Sequence, residues 1–388
     1  MDLLLVNDAA MKSLRPEVSA KTGIPETCIH FAATHTHAGP TLNTTVPSTA
    51  AYIEFLTQQL CHAAKEALAD RAPVRIYAGK ADTVNLNFVR HYITSAGTYM
   101  GDNFGDRVNP VVAHTAPADT RMQLLRFARS GKADVILVNW QAHGKMSSTI
   151  NSEFGRIHRR HLSADFVGYT RNALEAQTGA LTIYFSGAAG NLNPDSRIEA
   201  EMPTKDPAEF GRQLAQYALR ALENMREISG GPIRCSQRSV TACTDHSDDS
   251  KLDIAQQVWS AWSVDQEKAR LLAAEHGFNS PYAARDVINR FNAGSHMQME
   301  LNTITAGALA FAAAPYEMFC ENGMYIKETA PFNTTIIMSC ANGYYSYLAS
   351  ERAFGHGGYE VDSRRFMKGT AEKMAENFVD MLHANETA

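Results

Sequence analysis

The sequence predicts an α/β fold, a mixed β-sheet core surrounded by helices, and three observations carry that expectation. Short apolar runs of strand length recur along the chain, at 135–140, 181–185 and 308–313 among others. Stretches with apolar residues at helical spacing lie between them, as over 49–69. Several of the strand-like runs lead into histidine, glycine or acidic residues, and in α/β sheets ligands gather beyond the carboxyl ends of strands.

Taken in order, residues 3–6 read as a short buried strand and 11–22 as a helix. Residues 27–33 read as a second strand that runs into Thr34-His35-Thr36-His37, and Gly39-Pro40 stops it. In the helix at 49–69, Tyr52, Phe55, Leu60, Ala64 and Leu68 fall on one side. Alternation returns at 75–80. The polar, aromatic-dotted stretch 85–118 is long for a structureless loop and is expected to line a site. Residues 122–127 and 135–140 predict a hairpin around Ser130-Gly131-Lys132. A helix at 163–177, a strand at 181–185 and a helix at 207–225 follow. From 244 to 295 the composition turns polar and helical, which reads as an insertion within a single domain spanning 1–388. Strands return at 297–304, 308–313 and 335–339, and an amphipathic helix at 370–382 closes the chain.

Composition narrows the function classes. A net charge of −5 with no basic run argues against a nucleic-acid partner. No stretch of ~20 apolar residues exists to span a bilayer. The N-terminus lacks a cationic segment and a small-residue cleavage site, so the expected location is cytoplasmic, or secreted if a leader precedes this sequence. The six cysteines have no zinc-knuckle spacing and read as buried thiols, with a Cys235–Cys243 hairpin disulfide as the alternative.

Five segments carry chemistry. His35 and His37 stand two apart, so on a strand both imidazoles face one side, a pairing that suits a metal ion. Trp140-Gln141-Ala142-His143 ends another apolar strand in a histidine. Ser186 to Pro194 is a glycine-rich turn after a buried strand, able to bring backbone N–H groups close to a ligand or to serve as an ordinary loop. Pro315-Tyr316-Glu317 follows a small-residue strand, and Glu317 and Glu321 share a face if a helix starts there. Asn342, Tyr344 and Tyr347 form a tyrosine-rich segment, with Tyr359-Glu360 soon after.

These five pieces, in this order, resemble the neutral/alkaline, non-lysosomal ceramidase family over residues 3 to 360, with THTHAGP standing against that family's THTHSGP. The resemblance implies a neutral-ceramidase catalytic-domain fold and a zinc ion held by His35, His143, Glu317 and Tyr347. It also implies that His37 and Arg90 contact the substrate carbonyl and that Tyr359 faces the same site. The departures matter as well. Asn193 stands where the family has a serine, and an amide is no hydroxyl nucleophile. The family's C-terminal β-sandwich domain is not expected here. The implied activity is zinc-dependent hydrolysis of an amide bond, in ceramide or a smaller N-acyl amide. A metallo-esterase and a non-catalytic metal- or ligand-binding relative are the alternatives. The implied partner is a small-molecule or lipid amide substrate, with homo-oligomerisation open.

Overall fold

In the computed structural model, described over residues 1–42, 47–102, 104–147, 162–201 and 204–387, two β-sheets stack face to face and helices cover both outer faces. Helices α1 (Asp8–Thr22) and α2 (Pro47–Ala69) come first. The first sheet contains β1 (Val74–Asp82), β2 (Arg121–Arg129), β3 (Val135–Trp140), β4 (Leu181–Ser186) and β5 (Arg226–Ile228), in the order β5-β1-β2-β3-β4. Helix α3 (Asp165–Thr178) joins β3 to the parallel strand β4, and α4 (Pro207–Leu222) packs beside it. The second sheet runs β6 (Ile233–Cys243), β7 (His296–Ala306), β8 (Leu309–Ala313) and β9 (Thr334–Met338). Between β6 and β7 the chain forms α5 (Leu252–Trp262), α6 (Gln266–Glu275) and α7 (Pro281–Asn292). Helix α8 (Cys320–Thr329) joins β8 to the parallel β9, and α9 (Thr370–Thr387) follows.

Strand alternation explains the layers. Along β3, Ile136, Val138 and Trp140 meet Phe166, Leu174, Phe210 and Leu214 of α3 and α4. Leu137 points the other way and, with Leu125, meets Leu309, Ile336 and Met338 of the second sheet. A strand covered on both faces needs apolar residues throughout, which is why 135–140 reads as a continuous run. The outer face of the second sheet, with Met299, Leu301 and Ile337, is capped by Met374, Phe378 and Leu382 of α9.

Both sheets contain the same connection: an antiparallel hairpin, a helix, then a strand parallel to the second arm. Asn139, fully buried on β3, ties the sheets together. Its Nδ2 donates to the Phe185 carbonyl at 2.9 Å and to the Ile337 carbonyl at 2.8 Å, and its Oδ1 accepts from the Ile337 N–H at 3.3 Å. The Ser339 N–H also donates to the Ser186 carbonyl at 3.0 Å. The carboxyl ends of β3, β4, β8 and β9 therefore open side by side.

Several expectations are corrected. Residues 3–6 form a loop; Leu3 and Val6 are buried, and the Leu4 carbonyl is engaged by a histidine. The strand expected at 27–33 is a short 3-10 turn, Glu26–Cys28, followed by a single bridge between Ala32 and Ala341. Its next anchor is a side chain, Asn342 Oδ1, which accepts from the Phe31 N–H at 2.8 Å. On α2, Phe55 points outward and Leu56 inward. Residues 85–118 hold a four-stranded antiparallel sheet of His91–Thr94, Tyr99–Gly101, Phe104–Gly105 and Val111–His114. Cys235 and Cys243 lie on one strand, eight positions and ~27 Å apart, far beyond disulfide reach, and all six cysteines are free.

Asn139→Ala is expected to cost about 3 kcal/mol, because it strands two buried carbonyls and one N–H. Denaturant unfolding reads this directly; a loss under about 0.5 kcal/mol would mean that these bonds do not hold the sheets in register.

Candidate metal centre

Two strand ends and one loop deliver the central side chains. β3 leads to His143, whose N–H donates to the Leu192 carbonyl at 3.0 Å. β8 leads to Glu317-Met318, which pairs in parallel with Tyr347-Leu348 and sets Glu317 directly opposite Tyr347. The histidine pair arrives differently from the sequence expectation. His35 sits in a left-handed bend, φ 62°, and not on a strand. The loop is locked by a bridge between Thr36 and Gly144 and by the His37 N–H donating to the Gly144 carbonyl at 2.7 Å. A Cβ on Gly144 would meet the His35 carbonyl at 3.0 Å, so a larger residue would push this close approach apart by a few tenths of an ångström. The bend still brings the His35 and His37 rings to 5.1 Å of each other.

The backbone sets the tautomers. His35 Nδ1 lies 2.8 Å from the Leu4 carbonyl and His143 Nδ1 lies 3.0 Å from the Leu192 carbonyl. Carbonyls only accept, so both Nδ1 atoms carry the proton and both Nε2 atoms are turned inward. Each Nε2 is 3.2 Å from Glu317 Oε2. The Tyr347 hydroxyl is 3.4 Å from His143 Nε2, and the Tyr344 hydroxyl donates to Glu317 Oε1 at 2.6 Å. His35, His143 and Glu317 are all buried. His37 is exposed, and one ring nitrogen from each of the three histidines falls within 4.8 Å of the others.

Burial opposes ionisation of Glu317, but His35 and His143 override it and hold the carboxyl well below the usual range. Burial likewise opposes protonation of His35, and the Glu317 charge reverses that. Burial and then Arg90 push His143 down to about 4, so at neutral pH it offers a lone pair.

Around this centre lies a second set of groups. The two-residue pairing of Phe88-Val89 with Leu192-Asn193 places Arg90 beside the glycine-rich turn. Arg90 donates through Nη2 to the Gly190 carbonyl at 3.0 Å and through Nη1 to Asn193 Oδ1 at 3.5 Å. Its guanidinium sits 5.5 Å from the Tyr347 ring centre. Tyr359 stands edge-on to Tyr347 at 5.6 Å. Asn193 Nδ2 donates to Asp102 at 3.4 Å, and Asp102 also pairs with Lys145 at 3.6 Å and Arg197 at 3.5 Å. All eight residues singled out from the sequence, His35, His37, Arg90, His143, Asn193, Glu317, Tyr347 and Tyr359, thus lie in one cluster.

Sequence reasoning missed three members. Glu360 is fully buried and clamps Arg90 Nε with one oxygen and His91 Nε2, at 2.7 Å, with the other. Tyr344 holds Glu317; it was visible in the tyrosine segment, without a role. Asp102 comes from a hairpin loop that carries no motif. Two readings need correction. In the glycine-rich turn the two glycine N–H groups are already engaged and are not free for a ligand: Gly187 donates to the Trp140 carbonyl at 2.9 Å and Gly190 to the Met318 carbonyl at 2.7 Å. Its glycine serves a close crossing, because a Cβ on Gly190 would meet the Glu317 carbonyl at 2.7 Å. Glu321 shares no helix face with Glu317; the helix starts at Cys320, and Glu321 turns away to Ser350, Arg352 and Asn191.

No family model matches the chain, and neither does any curated protein. Solved structures do. A ceramidase complexed with C2 superposes with TM-score 0.69 at 16% identity, covering 100% of this chain and 66% of that one. The neutral ceramidase from Pseudomonas aeruginosa superposes with TM-score 0.68 at 16% identity, covering 98% of this chain and 65% of that one. The fold is that of the neutral ceramidase structures, and the chain spans about two thirds of their length.

Burial disfavours the charge on Glu360, yet Arg90 and His91 hold its carboxyl down at about 2. A depressed carboxyl stabilises the fold above its unfolded value of ~4.3 and loses that contribution as pH falls towards its folded value. Wild type should therefore exceed Glu360→Gln by roughly 3 kcal/mol at pH 7, with the gap closing between about pH 5 and 2. Urea unfolding across that range measures it, and a gap independent of pH would contradict the assignment.

Proposed function

We propose that this chain is a metal-dependent hydrolase that cleaves the amide bond of an N-acyl substrate, ceramide or smaller. One observation carries the reading. His35 Nε2 and Glu317 Oε2 are buried without a hydrogen-bond partner, although each lies within 3.2 Å of the other and His143 Nε2 shares the same oxygen. With His35 neutral, these are three inward-facing lone-pair atoms with no proton among them, and they fit a shared cation. Nitrogen and oxygen donors suit zinc, and other divalent ions share that preference. His35, His143, Glu317 and Tyr347 would hold the ion. When bound, a divalent ion supplies Lewis acidity and lowers the pKa of water, which brings a hydroxide nucleophile within reach of neutral pH.

The remaining roles belong to the chain's own groups. Tyr344, bonded to Glu317 Oε1, fixes which carboxylate oxygen faces the histidines. His37 is exposed, and burial of its inner side, with His35 and His143 behind it, keeps its ring neutral. It can therefore donate one N–H to a substrate carbonyl and accept or return a proton at the other nitrogen. Burial pushes the Tyr359 phenol up, so it stays protonated and can donate as well. Arg90, held by Glu360, stays charged beside them. Together these three supply the donors that a developing oxyanion needs. Asn193 fills the serine position as an anchor for Arg90, with no nucleophilic part.

Purified protein is expected to carry about one divalent ion per chain by elemental analysis, and Glu317→Ala to lose it. Wild type should hydrolyse short N-acyl sphingosines or N-acyl amino acids faster than the matching esters. Arg90→Met should lower kcat/KM by about 10²-fold or more with metal retained. Preferred ester cleavage would make it an esterase. Tight metal without turnover on either set would make it a binding protein. Absence of metal after reloading would end the reading altogether.

A further inference from the structure

A cleft of about 690 Å³ opens between the hairpin of residues 99–105 and the helices inserted between β6 and β7. Phe104 and Arg107 form one wall, and Trp262, Arg270, Phe278 and Tyr282 form the other. None of these belongs to the metal centre. Clefts of this size, lined by aromatic side chains with a few charged groups, are where proteins hold small molecules.

The charge of the cleft is one-sided. Among the described residues no acid lines it. Arg107 is exposed, has no carboxylate within ion-pair distance among the described residues, and donates to Met100 Sδ at 3.6 Å. Burial and the nearby Arg197 act against its charge and outweigh Asp102, which acts for it from beyond ion-pair distance. Among the described residues Arg270 forms one ion pair, with Glu267 at 3.8 Å, an exposed pair of little strength. Two guanidiniums that line one cleft with no acid in its walls favour an anion between them, and a carboxylate matches the paired N–H groups of a guanidinium.

The apolar part is built as well. Trp262 and Tyr282 meet edge to face at 5.4 Å, and Arg270 stacks on Trp262 at 5.1 Å. Tyr282 remains 41% exposed, so its ring has surface left for a ligand. On its other side Phe104 stands edge-on to His91 at 5.8 Å, the residue that shares Glu360 with Arg90.

We propose that this cleft is a second binding site, and that it takes a small amphipathic carboxylate. The ligand's aryl or acyl group lies against Phe104, Trp262 and Tyr282, and its carboxylate meets the guanidiniums of Arg107 and Arg270.

Tryptophan fluorescence tests this, because Trp140 is fully buried in the core and only Trp259 and Trp262 stand in the inserted helices. The probes are 4-phenylbutyrate and its uncharged primary amide, neither of which carries the N-acyl amino linkage assigned to the metal centre. Wild type is expected to show saturable quenching by the acid, with at least tenfold weaker binding of the amide. Arg107→Gln and Arg270→Gln should each weaken the acid about tenfold, the effect of one lost charged contact. Trp262→Phe should remove most of the signal. His143→Ala should bind as wild type does, which keeps this test separate from the metal-centre reading. Equal binding of acid and amide, or no saturation with either, would overturn the proposal. So would loss of binding in His143→Ala with retention in both arginine variants, because the probe would then sit at the metal centre.

Discussion

Glu317 is a carboxylate set out of reach of solvent with one oxygen 3.2 Å from two imidazole nitrogens, and the surrounding structure answers to that burial. Removing such a charge from water costs several kcal/mol unless its oxygens are engaged. Oε1 is engaged by the Tyr344 hydroxyl. Oε2 faces two nitrogens whose protons are committed to Nδ1 by the Leu4 and Leu192 carbonyls. A cation resolves that geometry, and so does a proton placed on His35, which is the state that the strong upward pull on its pKa describes. The two compete for the same lone pair, so uptake of a metal ion here would release a proton.

The sandwich brings these groups together from both of its sheets. His143 extends from β3 in one and Glu317 from β8 in the other, each beyond a strand that pairs in parallel with its neighbour. Asn139 is the element that keeps the two ends level, since its amide bonds both sheets at once. The third donor, His35, belongs to neither sheet and is placed by the N-terminal segment. That is why the loop at residues 3–6 is buried although it pairs with no strand.

Much of this was legible. The apolar runs of β3, β8 and β9 are covered on both faces, so their patterns are nearly continuous and mark them clearly, whereas β4 is largely apolar although Leu181 and Ile183 face outward. The histidines and Glu317 stood at their ends and were visible for that reason. What failed was local backbone. The 27–37 segment has the composition of a strand, but side-chain and single-bridge anchors hold it, and a pairing partner cannot be read from one chain segment. β6 alternates weakly because much of its surface faces water, so it went unnoticed. Asp102 left no mark in the sequence, and Glu360 was visible only as the neighbour of Tyr359, without a role, for a different reason: each acts through Arg90, and a contact at one remove has no spacing of its own.

The substitution at Asn193 looks like a loss when read alone and like part of a unit in the structure. Its amide accepts from Arg90 at one end and donates to Asp102 at the other, while Asp102 gathers Lys145 and Arg197. A serine hydroxyl in its place is shorter by an atom and could not span both partners at these separations. Asn193 and Asp102 therefore fit each other. They convert a position that supplies a hydroxyl in the resembled family into a strut that holds Arg90 and the glycine-rich turn against Glu317. In the proposed hydrolase reading the nucleophile would then come from water, with the protein contributing donors and position, because Asn193 carries no hydroxyl and the Ser186 hydroxyl is committed to the Thr34 carbonyl.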